Sequence, residues 1–98
     1  MAVQIKLSDL KNHVGGTGKV KLFCKILLDR SSDEFVIADQ TGYKVLQANG
    51  SENKHLRVGN FIKILSPEID GNEIRIGDKT SIFATPEIKD IGMYFKET

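Results

Sequence analysis

The sequence predicts an all-β domain, a small barrel built from five strands, on three observations. The first is strict alternation over residues 19–28, where Val20, Leu22, Cys24, Ile26 and Leu28 share one parity and Lys19, Lys21, Phe23, Lys25 and Leu27 the other. The second is a hairpin pattern: strand formers at residues 35–38 and 43–48 flank Asp39-Gln40-Thr41-Gly42, which supplies turn chemistry. The third is a second pair of runs, residues 61–65 and 73–77, separated by Pro67 and by Asp70-Gly71-Asn72.

Taken in order, Val3, Ile5 and Leu7 alternate with Gln4 and Lys6, and Ser8-Asp9 then reads as a turn or the cap of one short helical turn covering an end of the core. The glycines of HVGGTG, residues 13–18, let the chain turn sharply into the long strand. GGTGK is not a phosphate-binding loop, because that motif needs its own glycine spacing, a Ser or Thr after the Lys and a following helix, whereas Val20 and a strand pattern follow here. On the long strand, the Val20 to Leu28 parity is the core face, with Cys24 a small buried hydrophobe. The opposite face sets Phe23 between two lysines. In the hairpin, Gly42 is where a tight turn calls for positive φ, and Asp39 and Thr41 can bond nearby backbone. Residues 50–60 form a connector, with one irregular helical turn possible, that ends on Gly59-Asn60. In FIKIL, residues 61–65, Ile62 and Ile64 share one parity and Phe61, Lys63 and Leu65 the other. Ile74 and Ile76 point in, Glu73 and Arg75 out, and the Ile82-Phe83 segment closes the barrel.

Composition narrows the classes. Ninety-eight residues suit one domain with a single core, here residues 1–98, with a barrel over about 5–85 and a tail or short helix over 86–98. At 40% hydrophobic and 28% charged residues the chain is globular in type, and its apolar runs fall far below the roughly 20 residues a membrane span needs, so no membrane partner is expected. Cys24 is alone, which excludes an internal disulfide and a CxxC metal site. Gln4 and Lys6 interrupt the first apolar residues, so an intracellular, reducing location is expected. His13 and His55 are isolated, Asp39 and Asp78 fall in turns, and no nucleophile motif is present; neither a cofactor nor an enzyme activity is expected. Net charge is only +1, but Lys19, Lys21, Lys25 and Arg30 cluster, and Lys54, Arg57 and Lys63 make a second basic stretch. Such lysines either form a basic face or block pairing at strand edges.

One long strand, a hairpin, a connector and a second hairpin, with a helix or loop plugging the barrel between strands three and four, is the order of the five-stranded Greek-key barrel called the oligonucleotide/oligosaccharide-binding (OB) fold. DLKN near the start, GKVKLFCKIL, FVIADQTG, HLRVGNFIKI and IRIGDKTSI occur in that order and resemble the OB domains of replication protein A and the single-stranded-DNA-binding subunit of the SOSS complex. The resemblance spans about residues 5–88, and its most specific element is the D-x-T-G turn at residues 39–42, followed by the G-[DN] step at Gly59-Asn60.

The resemblance implies a single-stranded nucleic-acid binder, DNA in first place, in a nuclear protein complex that could serve repair or telomeres. It places the ligand over strands two and three. Aromatic platforms of such binders fall here on Gln47 to Asn49, Ser66 to Ile69, and Arg75 and Ile76, none of them aromatic. The candidate contacts are therefore Tyr43 and Phe23 for stacking, Gln47 and Asn49 for base edges, and Lys21, Lys25, Lys44, Lys63, Arg75 and Lys79 for phosphate. The alternative is a protein-interaction module with little nucleic-acid binding of its own, using an apolar patch at Val45, Leu65 and Ile69 or a docking tail with Ile88, Ile91, Tyr94 and Phe95.

Overall fold

Alternation decides most of the architecture. In a computed structural model, which describes residues 3–13, 20–31, 33–50, 54–70 and 73–87, the chain runs through β1 (Val3–Gln4), a 3-10 helix (Leu7–His13), β2 (Val20–Ser31), β3 (Glu34–Asp39), β4 (Gly42–Gln47), β5 (Phe61–Leu65), β6 (Glu68–Asp70), β7 (Glu73–Arg75) and β8 (Ser81–Ala84). Inward residues of the strands, Leu22, Cys24, Ile26, Ile37, Leu46, Ile62, Ile64 and Ile74, are fully buried in one core. Each such Leu or Ile contributes about 1.5–3 kcal/mol by leaving water. Burial also pushes the Cys24 thiol up from its ordinary value of 9.0, and the nearby Asp39 charge adds to that effect.

Antiparallel ladders join β2 to β3, β3 to β4, β2 to β5, β5 to β8 and β6 to β7, while β4 and β7 pair in parallel. β5 runs into β6 through a bend at Ser66-Pro67, and β7 and β8 follow the same course along them, so both pairs are broken halves of single strands. Counted that way, the expected five strands are present, and their pairing closes into a ring in the order one, two, three, five, four. β1 adds a short parallel pair on β2.

The breaks have local causes. Leu65 faces Ser81 and Glu68 faces Arg75, so residues 76–80 stand opposite only Ser66 and Pro67. The expected strand over residues 73–77 accordingly ends at Arg75. Thr80 fastens the irregular turn: its hydroxyl donates to the Ser66 carbonyl at 2.9 Å and accepts the Gly77 N–H at 3.0 Å. A Cβ on Gly77 would collide with the Glu68 carboxylate.

Leu28 corrects the sequence reading. Ile26 pairs with Ile37 but Leu28 pairs with Val36, so Leu27 is one residue too many and the alternation reverses. Leu28 leaves the core face and is 52% exposed. Of the connector between β4 and β5, the described residues 54–59 are turns and bends, with Leu56 buried. Gly59, at φ 95°, donates its N–H to the Ile26 carbonyl at 2.7 Å and so ties the connector to β2.

A helix does plug the barrel, at the N-terminal side. With three residues per 3-10 turn, Leu7 and Leu10 fall on one side of the Leu7–His13 helix, and both are buried. The hairpin turn holds this plug. Asp39 is itself buried and accepts the Leu7 N–H through Oδ2 at 2.9 Å, while Oδ1 accepts the Thr41 N–H at 2.7 Å and the Thr41 hydroxyl at 2.5 Å. The Thr41 Oγ1 in turn accepts the Ser8 N–H at 3.1 Å. The D-x-T-G sequence is thus a structural clasp between the β3–β4 turn and the start of the helix.

Candidate nucleic-acid interface

The outward parity of β2 carries Lys21, Phe23 and Lys25, and that of β5 carries Phe61, Lys63 and Leu65. Cross-strand register brings them together: Phe23 lies opposite Lys63, which lies opposite Phe83 on β8, and Lys25 lies opposite Phe61. The result is a checkerboard of three lysines and three phenylalanines. Lys21 Nζ sits 5.9 Å from the Phe23 ring centre, Lys25 Nζ 5.3 Å from that of Phe61, and Lys63 Nζ 5.3 Å from that of Phe83. Among the described residues, none of these lysines forms an ion pair with a carboxylate.

Edge protection does not explain the lysines. β2 is paired by β3 on one side and β5 on the other, and β5 by β2 and β8, so neither is an edge strand. Sheet stabilisation accounts for only part of the pattern, since an exposed cation–π contact contributes about 0.5–1 kcal/mol. Stacking of an unpaired base on a ring contributes about 1–3 kcal/mol, enough to displace a lysine and leave its ammonium for the phosphate.

The other candidates fall elsewhere. Tyr43, 60% exposed, is in the same circumferential row as Lys25, separated from it by Ala38. Lys44 has the opposite parity, in register with the core residue Ile37. Gln47 donates to Glu34 at 2.6 Å and to Glu73 at 3.5 Å. Arg75 is held by Asp70 at 3.2 Å and Glu73 at 3.1 Å. Asn49, in a left-handed conformation at φ 54°, donates to the Ile76 carbonyl at 3.2 Å beside an acidic cleft lined by Glu68 and Asp78. Lys79 is exposed in the turn between β7 and β8. Val45, Leu65 and Ile69 are each half-buried, Ile69 against the core. Ile88, Ile91, Tyr94 and Phe95 lie outside the described residues.

Four of the candidates, Lys21, Phe23, Lys25 and Lys63, therefore share one surface, and Phe61 and Phe83 join them without having been singled out. Their signal was parity: Phe61 alternates against Ile62 and Ile64, and Phe83 follows the inward Ile82. Among the described residues there is no group of His, Cys, Asp or Glu that would hold a metal ion, and no helix long and apolar enough to cross a membrane.

No known family profile matches the chain, and no curated protein matches it in sequence. Solved structures do match in shape. The chain is similar to the telomere capping protein Ten1 from Saccharomyces pombe, with a TM-score of 0.68 at 8% identity over 91% of this chain and 86% of that one. A chain of the S. pombe Stn1–Ten1 complex gives 0.65 at 8% identity, covering 91% and 81%. This chain has an OB fold. A murine DNA-binding protein bound with double-stranded DNA shares it, with a TM-score of 0.63 at 20% identity over 87% of this chain and 50% of that one. On this OB barrel the checkerboard occupies strands one, four and five, whereas the sequence resemblance pointed to strands two and three.

Proposed function

We propose that this OB domain binds single-stranded nucleic acid, DNA in first place, on the outer face of β2, β5 and β8. One observation carries the reading: three lysines on β2 and β5, strands paired on both sides, have no carboxylate partner among the described residues and alternate with three aromatic rings. Rings at this spacing offer stacking platforms that tolerate any base, and the ammonium groups between them follow the backbone. The likeness in fold to Ten1 and to a chain of the Stn1–Ten1 complex supports a place as one subunit of a nuclear complex, with telomere capping as one role of that kind.

Fluorescence anisotropy with labelled oligo-dT and oligo-U across a salt series tests this. Three phosphate contacts give a slope of log affinity against log salt of about −2. Absence of binding at low salt from a folded sample would overturn the reading and favour a protein-interaction module. That second reading has its own support in Leu28 and Val58, 52% and 56% exposed, on segments joined by the Gly59 to Ile26 hydrogen bond.

A further inference from the structure

The barrel closes between β4 and β7, but among the described residues β8 has a neighbour on one side alone, β5. The ladder decides what its other edge presents. Thr85 donates its N–H to the Phe61 carbonyl at 3.0 Å, and bonding alternates along an antiparallel pair, so Phe83 and Ser81 exchange hydrogen bonds with Lys63 and Leu65. The N–H and C=O of Ile82 and Ala84 therefore point away from β5, and no other described residue bonds to them. Ser81, Phe83 and Ala84 are exposed. Sheet edges are commonly blocked by a lysine, a proline or a bulge, and residues 81–84 contain none of these.

We infer that β8 pairs with β8 of a second copy of this chain, antiparallel about a two-fold axis at Phe83. A two-fold contact is self-complementary, so the outward groups of one strand must meet those of its equal. With Ala84 opposite Ala84, Ile82 faces Pro86, which has no N–H. With Ile82 opposite Ile82, Ala84 faces Thr80, whose N–H is already given to the Gly77 carbonyl at 3.2 Å. With Phe83 opposite Phe83, Ile82 and Ala84 of each copy face Ala84 and Ile82 of the other, and all four N–H groups meet a free carbonyl. This register also sets the two Phe83 side chains in a non-hydrogen-bonded pair, where side chains come closest and aromatic pairs contact. It brings Lys79 of each copy level with Glu87 of the other; both are exposed, and neither forms an ion pair among the described residues. Hydrogen bonding, aromatic contact and charge thus agree on one register, and that self-complementarity favours a second copy over a strand of another protein. The row Phe23, Lys63, Phe83 of one barrel then runs on into the same row of the other. The inference stands apart from nucleic-acid binding, since it uses the edge of the sheet and not its face.

The experiment is sedimentation velocity without nucleic acid, from about 10 µM to 1 mM protein, the range of a small and weak interface, with amide exchange followed by NMR at both ends of the series. The mass is expected to rise from one chain toward two, and the Ile82 and Ala84 amides to gain protection with concentration. Ala84→Pro removes an outward N–H and leaves the β5 ladder its bonds. The change enters the interface twice, so association should fall about tenfold or more. At low ionic strength Lys79→Glu, which sets like charges level, should weaken association about three- to tenfold, and adding Glu87→Lys should restore it. A single-chain mass at every concentration overturns the inference. Association that survives Ala84→Pro with the fold intact by circular dichroism overturns it too, because the contact then lies elsewhere, and so does association that Lys79→Glu leaves unchanged.

Discussion

On the outer face of β2, β5 and β8, Lys21, Lys25 and Lys63 lie against Phe23, Phe61 and Phe83, whereas on the outer face of β4 and β7 Arg75 is closed between Asp70 and Glu73. Both surfaces belong to one barrel and both present cationic charge at outward strand positions. They differ in what stands beside the charge. A surface ion pair adds about 0–1 kcal/mol to stability, but it cancels the positive potential that an approaching phosphate would meet. A lysine over a ring keeps that potential and adds a stacking surface. Net charge of +1 conceals this, because it sums over both surfaces.

The sharpest way to break the contrast is to remove a ring from the cationic face. Phe83→Ala, at a position 46% exposed, is expected to weaken single-strand binding by about 1–3 kcal/mol, roughly five- to 150-fold. Anisotropy titration measures this, with circular dichroism confirming the fold. Lys63→Glu should act in the same direction and flatten the salt dependence.

Next in size is the clasp that joins the hairpin turn to the plug. Asp39→Asn keeps the shape but exchanges charge-assisted bonds for neutral ones and presents an amide to donors, so unfolding free energy should drop by about 1–3 kcal/mol in urea titration. An unchanged midpoint would show that the clasp is incidental.

A smaller effect concerns Cys24. Burial raises its pKa in the folded state, so the unfolded thiol ionises first. Stability is then whole below the ordinary value of 9.0 and declines as pH rises above it. Denaturant midpoints between neutral and alkaline pH should show this decline, and Cys24→Ala should remove its part of it.

The smallest effects belong to the opposite face. Arg75→Gln should alter single-strand affinity by no more than about twofold and leave the salt slope as it was, as for surface changes within about 0.5 kcal/mol. Tyr43→Ala should fall between the two faces, since Tyr43 stands at the margin of the row that holds Lys25. A loss as large as that of Phe83→Ala would move the interface toward strands two and three.

Several features follow from the sequence alone, because they depend on neighbours along the chain. The period-two pattern of residues 20–26 places Leu22, Cys24 and Ile26 inside and Lys21, Phe23 and Lys25 outside whatever else the chain does, and Asp39 to Gly42 make a turn by local hydrogen bonding. Strand count and order, and with them the OB barrel, were also legible. Only the tertiary structure decided which strands lie side by side. Lys63 is remote in sequence from both Phe23 and Phe83, and cross-strand register alone makes them neighbours; the same register sends Arg75 to Asp70 and Glu73. Leu28 shows the limit from the other direction, since the alternation that would bury it is reversed by one extra residue whose presence depends on pairing with β3. Periodicity reports the direction of a side chain relative to its own strand, while the chemistry of a surface depends on the partner across the ladder, and that is a property of the closed barrel.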